Sequence, residues 1–241
     1  MPTPSFLPLF KTSPEIIQLA VMLYVRFPLS LRNVEDLLHE RGVDVSYESV
    51  RYWWHRFGSQ FARQIKKRRV GGMQSSNWKW HLDEVFVKIN VERHYLWRAV
   101  DHEGEVLESY VTKKRDKKSA LKFMKKAMRR YGSPDKIVTD KLRSYSAATK
   151  ELGCSDKQVT ERWANNRVEN SHLPFRRRER AMLRSRRMHS LQKFASIHAS
   201  FHITSIHKGH SQNALLSSLT VPLLLPSGVL WSSHRKGSSP Q

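Results

Sequence analysis

Cysteine is nearly missing: Cys154 is the only one in 241 residues. That excludes an internal disulfide and a cysteine-rich zinc site, and it suits a reducing cytoplasm. Acidic residues are scarce, with 21 Asp and Glu against 43 Lys and Arg and a formal net charge of +22. A compact chain at that charge repels itself, so a polyanion is its natural partner. No uninterrupted long apolar run is present. The segment Leu215 to Trp231 comes nearest, but serines, Pro222 and Pro226 break it, and it is too short to span a bilayer. The start, Met1-Pro2-Thr3-Pro4, lacks the basic and apolar regions of a signal peptide. No membrane association is expected. What is present suffices for a core: hydrophobic content is a lean 39%, but seven Trp and ten Phe supply bulk. The length fits one sizeable domain, or one with a small companion.

Residues 13 to 57 read as three short helices. Ile16, Ala20, Leu23, Tyr24 and Phe27 recur at helical spacing, and Pro28 ends the first. Ser30 is placed to cap the second, with Val34, Leu37 and Leu38 as its apolar stripe and Gly42 as its stop. Ser46 caps the third, which buries Tyr47, Val50, Trp54 and Phe57 and turns Arg51 and His55 outward. Two helices joined by a tight glycine-containing turn fit a helix-turn-helix, with Arg51 and His55 as DNA contacts. Residues 58 to 76 read as a linker carrying the basic cluster Lys66-Lys67-Arg68-Arg69, followed by Gly71-Gly72 and Ser75-Ser76.

From Trp78 the period changes to that of strands. Trp80 to Asn90 alternates through Val85, Val87 and Ile89, and His94 to Asp101 and Val106 to Thr112 complete an antiparallel meander. A helix over Lys117 to Arg130 leads through Gly132-Ser133-Pro134 into the strand Lys136 to Asp140. A helix at about Tyr145 to Leu152, a short strand near Gln158 to Thr160 and a helix from about Asn165 follow. Three strands, helix, strand, helix, strand, helix is the order of an α/β fold of the ribonuclease-H-like kind, a mixed sheet with helices on its faces.

That order sets the first strand beside the strand after the first helix, since a crossover helix returns the chain parallel. Asp83 and Asp140 then meet at one point on the sheet. Two adjacent carboxylates repel unless a cation sits between them, and Mg²⁺ or Mn²⁺ is the usual hard cation for oxygen ligands. Glu169 on the last helix can supply a third ligand. Such a cluster suits phosphoryl transfer by two metals. His198 and His202 stand four apart, but without the glutamate of a zinc protease they read as packing or surface residues.

Several segments carry a family resemblance. Trp80-His81-Leu82-Asp83-Glu84, His94 to Asp101, Val138-Thr139-Asp140-Lys141, Asn165 to His172 and Arg176 to Arg180 resemble those of bacterial insertion-sequence transposases of the DDE class. The branch is the insertion-sequence-six family, and the likeness covers about residues 13 to 201. It implies binding to terminal inverted repeats, Mg²⁺-dependent 3′-strand nicking, and transfer of the freed 3′-hydroxyl into double-stranded target DNA. A replicative route through a cointegrate and a homo-oligomer in the synaptic complex are part of that expectation, in a cytoplasmic, nucleoid-associated protein. In that scheme Asp83, Asp140 and Glu169 are the metal ligands. The family also has a basic residue seven positions after the Glu, here Arg176, although Pro174 between them is expected to kink or end the helix. Residues 176 to 187 hold seven arginines and one acid. Beside such a site, Lys141, Arg176, Arg177, Arg178 and Arg180 are expected to track a DNA backbone.

The resulting partition is a helix-turn-helix segment over 1–57, a basic linker over 58–76, a catalytic domain over 77–201 and a divergent, disordered tail over 202–241. The tail lacks helical periodicity and reads as out-of-frame sequence. Two other functions fit the same residues: a DNA-binding remnant or repressor without activity, and a ribonuclease-H-like nuclease.

Overall fold

The computed structural model describes residues 11–72, 79–160, 165–182 and 185–201, with 68–72, 166 and 167 as backbone only. The tail over 202–241, His202 included, lies outside the described residues, as do residues 73–76 at the end of the expected linker and 77–78 at the start of the expected catalytic domain.

Three helices come first. Helix α1 (Pro14–Arg26) starts at Ser13, whose hydroxyl accepts the Ile16 amide at 3.4 Å, and has its proline in the first turn, where no N–H is needed. Its fully buried residues are Ile17, Ala20, Val21 and Val25. Of the expected stripe Ala20 is fully buried, Ile16, Leu23 and Tyr24 are partly buried against the same core, and Phe27 is 38% exposed. α1 is apolar around most of its circumference, so periodicity alone does not choose which residues lie deepest. Helix α2 (Leu31–His39) carries a reciprocal cap: Asn33 N–H donates to Ser30 Oγ at 3.0 Å and Ser30 N–H donates to Asn33 Oδ1 at 2.9 Å. Gly42, with φ +72°, turns the chain out of it.

Helix α3 (Tyr47–Gly72) begins at Ser46, whose hydroxyl accepts the Ser49 amide at 3.3 Å. It runs 26 residues, straight through most of the segment expected to be a linker. Phe57, Phe61 and Ala62 are buried and Ile65 partly so, which continues the apolar stripe past Phe57. Gln, Ala, Arg and Lys between them are good helix formers. The basic cluster therefore extends a helix rather than loosening a loop.

The sheet has the order β3-β2-β1-β4-β5. Strands β1 (Lys79–Ile89), β2 (Glu92–Val100) and β3 (Val106–Thr112) pair antiparallel. Helix α4 (Lys117–Tyr131) then crosses over to β4 (Lys136–Val138), which pairs parallel to β1 with His81 opposite Val138. Helix α5 (Arg143–Glu151) leads to β5 (Gln158–Val159), parallel to β4. Helices α6 (Asn166–Ala181) and α7 (Met188–Phe201) close the fold. This is the ribonuclease-H-like arrangement.

Strand alternation divides the core. Trp80, Leu82, Trp97 and Leu107 face α4 and α5, where Phe123 and Tyr145 pack on Trp97. Val87, Ile89, Leu96 and Val111 face the other way and share one core with Phe175, Phe194, Ile197 and residues of α1, α2 and α3. The amino-terminal helices are thus seated on the same core as α6 and α7. His198 is fully buried between Phe175 and Phe194, each 5.6 Å away, so of the packing and surface roles open to it the packing one holds.

Candidate active site

β4 ends opposite His81, so two residues further each chain reaches Asp83 and Asp140. Asp83, Glu84 and Asp140 each offer a carboxylate oxygen, and all three atoms lie within 4.8 Å of one another. Neighbouring strand residues point to opposite faces. Beyond the end of β4, however, Asp140 can meet both. Its Oδ1 also accepts the Leu142 amide at 3.1 Å, which fixes the turn into α5.

Glu84 is buried, Asp83 and Asp140 are partly so, and the cluster is only partly neutralised. Arg115 Nη2 lies 2.5 Å from Glu84 Oε1 and 3.6 Å from Asp140 Oδ2. Burial pushes the Glu84 carboxyl up to about 7, against the pull of Arg115 and the Tyr145 hydroxyl, with Asp140 and Asp83 adding to the rise. Burial and the Asp83 charge likewise raise the Asp140 pKa from its ordinary value, against the Leu142 amide and Arg115. Three hard oxygen donors, short of positive charge, fit a divalent metal ion.

Helix α6 is bound to β1 along its length. Asn165 Nδ2 donates to Leu82 O at 3.0 Å, His172 Nε2–H to Asp83 Oδ2 at 3.0 Å, and Arg176 Nη2 to Phe86 O at 2.5 Å. The order of these contacts shows helix and strand advancing together. Burial lowers the His172 pKa despite the Asp83 hydrogen bond, so the neutral ring donates to a carboxylate that can only accept. Arg98, opposite Asp83 on β2, is 1% exposed; its Nη1 donates to Ser171 O and its guanidinium lies over Phe175 at 5.1 Å. Burial and the nearby Arg176 bring its pKa down to about 9.

Glu169 falls between Asn165 and His172 on α6, which sets its backbone alongside Leu82 and Asp83. Its side chain is exposed and is not part of the three-carboxylate cluster. Pro174 does not break α6, so Glu169 and Arg176 share a face. Arg176 is half-buried and also pairs with Glu179 at 2.7 Å. Lys141, Arg177 and Arg180 are exposed, as are Arg51 and His55 on α3. Arg178 is a correction. It is 1% exposed and lies over Tyr24 at 4.4 Å and Phe194 at 5.9 Å, so it cannot reach a phosphate. Val168, His172, Phe175 and Arg178 form the buried face of α6 at helical spacing, and Arg178 falls within it.

Sequence reasoning missed Glu84, Arg98, Arg115, Tyr145, Asn165 and His172 as site residues. Glu84, Arg98, Asn165 and His172 stand inside the family-like segments, where their position was a signal. Arg115 and Tyr145 carry none.

A family model for a DDE domain, DDE_Tnp_IS240, matches residues 77–210. The transposase for insertion sequence-like element IS431mec of Staphylococcus aureus is 32% identical over 163 residues, covering 66% of this chain and 71% of the relative. The transposase for IS257 in transposon Tn4003 of the same organism is 31% identical over the same shares. The chain belongs to the DDE transposases of insertion sequences. Among solved structures, the simian T-cell lymphotropic virus intasome in complex with a PP2A regulatory subunit is similar at a TM-score of 0.44. It is 17% identical, over 70% of this chain and 62% of that one. The HTLV-2 integrase catalytic core in complex with magnesium gives a TM-score of 0.35, with 19% identity over 41% and 66%. No helix among the described residues is long and apolar enough to cross a membrane.

Proposed function

We propose that this chain binds the terminal inverted repeats of its own insertion sequence, nicks their 3′ strands, and joins the freed 3′-hydroxyls to double-stranded target DNA by a cointegrate route. The observation that carries this reading is the partly buried carboxylate cluster at the β1–β4 junction of a chain with net charge +22. Asp83, Asp140 and Glu169 are the proposed ligands of Mg²⁺, with Mn²⁺ as a substitute, and Glu84 lies against the first two. The metal would supply activation of the attacking oxygen and charge stabilisation of the leaving one. His172 holds one rotamer of Asp83, while Asn165 and Arg98 hold α6 against the sheet. Lys141, Arg176, Arg177 and Arg180 are proposed to pair with phosphates, and Arg51 and His55 to contact the repeat from α3. The setting is the bacterial cytoplasm and nucleoid, with a homo-oligomer joining two ends.

The test uses the mapped ends flanking the gene as substrates. Replacing Asp83, Asp140 or Glu169 with Ala should abolish nicking while leaving end binding intact, because carboxylates serve the reaction rather than DNA affinity. A variant that still nicks removes its residue from the site. A protein that cuts DNA but never joins it is a nuclease, and one that binds ends without cutting is a repressor.

A further inference from the structure

Phe86 lies on the same face of β1 as Glu84, two residues further along, yet 52% of it is exposed. Two residues of strand span about 7 Å. β4 has ended by then, and α4 and α5 cover Trp80 and Leu82 rather than this part of the sheet. Arg93 of β2 and Arg176 of α6 place their guanidinium carbons 5.4 Å and 5.5 Å from the ring centroid. Lys88, exposed and paired in register with Arg93, adds a third cation. Tyr95, half-buried, stands directly across from Phe86.

We infer that Phe86 is a stacking platform for one unpaired nucleobase beside the reacting phosphate, with Arg93 and Lys88 holding the adjoining backbone. The inference rests on the reading of the Asp83 cluster as the strand-cutting site. An exposed phenyl ring costs solubility and gains nothing from duplex DNA, whose bases already stack on one another. A base freed from its partner presents a π-face to it, and such stacking tolerates any sequence. The arginine contacts show that the ring accepts flat cationic groups. A base entering there takes the place of the exposed Arg93 guanidinium, which is released to a phosphate. The charge also chooses the occupant: two guanidinium groups at the ring and Lys88 two residues along the strand suit a polyanion better than a second copy of this basic chain.

The experiment compares the full-length chain with F86A and F86W on two probes. One is a fluorescein-labelled single-stranded 20-mer of mixed sequence carrying 2-aminopurine, and the other is the same strand in duplex form. F86A should bind the single strand about tenfold more weakly and lose the quenching of 2-aminopurine. F86W should keep both, and duplex affinity should stay within about twofold for all three. Single-strand binding by F86A equal to wild type overturns the inference, as does equal loss on both probes or a failure of F86W to rescue. A lower mass of F86A by light scattering would assign the ring to a contact between copies and would equally overturn it. A wild-type chain that binds neither probe would instead sink the DNA-processing reading itself.

Discussion

His172 acts on the site through Asp83 rather than by itself. Its Nε2–H is 3.0 Å from Asp83 Oδ2, and the residue is only 5% exposed. Without that donor Asp83, the proposed metal ligand, is free to turn, and ligands left unoriented lose metal affinity by about 10- to 100-fold. H172A should therefore weaken Mn²⁺ binding about tenfold in electron paramagnetic resonance titrations. H172Q, which can still donate, should recover part of it. Unchanged Mn²⁺ affinity in H172A would show that the hydrogen bond does not position the ligand. Glu84 gives a second expectation at this scale. Its carboxyl is raised from 4.5 to about 7 in the fold, mainly by burial. Between those values the native chain holds a proton that the unfolded chain has lost, so stability falls as pH rises through that window. The metal-free protein should lose on the order of 3 kcal/mol from this group between pH 4.5 and 7. E84Q should lack that slope, and urea denaturation in EDTA across pH 5 to 7.5 measures the difference. Parallel curves would place Glu84 in a wetter setting than the structure shows.

Helix α3 sets propensity against packing. A Cβ on Gly58 would lie 2.9 Å from Cε3 of its own Trp54 and 3.5 Å from Cδ1 of Ile197 on α7. Trp54 is 7% exposed and also packs on Tyr24 at 5.7 Å and Phe194 at 5.8 Å, so its indole has little room to move. Alanine in place of glycine favours a helix by about 1 kcal/mol, whereas overpacking costs about 1–3 kcal/mol. G58A should thus destabilise the protein slightly, and a raised melting temperature would refute the close approach. The same helix shows what the sequence displayed and what it hid. Element order as far as α6, the caps at Ser30 and Ser46 and the meeting of Asp83 with Asp140 were legible, because period and crossover geometry decide them; α7 as a separate helix was not. The length of α3 was not, since a basic run looks alike on a linker and on a helix face. The buried face of α1 was ambiguous because most of its faces are apolar. Arg178 was misread because charge alone suggested solvent, while the spacing from Val168 and Phe175 pointed inward.

At the scale of the whole molecule, the distribution of charge bears on the proposed contact with DNA. A net charge of +22 gives a strong, sequence-independent attraction to any duplex. Each phosphate neutralised releases counterions, so binding should fall steeply with salt, by about 10³-fold or more between 50 and 200 mM if six or more phosphates are held. The three consecutive arginines of α6 then divide by burial rather than by charge. Arg177 is exposed, Arg178 is buried against Tyr24, and Arg176 is tied to Glu179 and Phe86. R177A and R180A should each reduce the slope of log affinity against log salt by about one and leave folding unchanged. R178A should leave the slope as it is and instead lower thermal stability, because it removes the guanidinium that lies between α6, Tyr24 of α1 and Phe194 of α7. Fluorescence anisotropy on a non-specific duplex at four salt concentrations, with melting curves beside it, separates the two effects. A reduced slope in R178A with an unshifted melting curve would return that arginine to the DNA-facing surface and refute its burial.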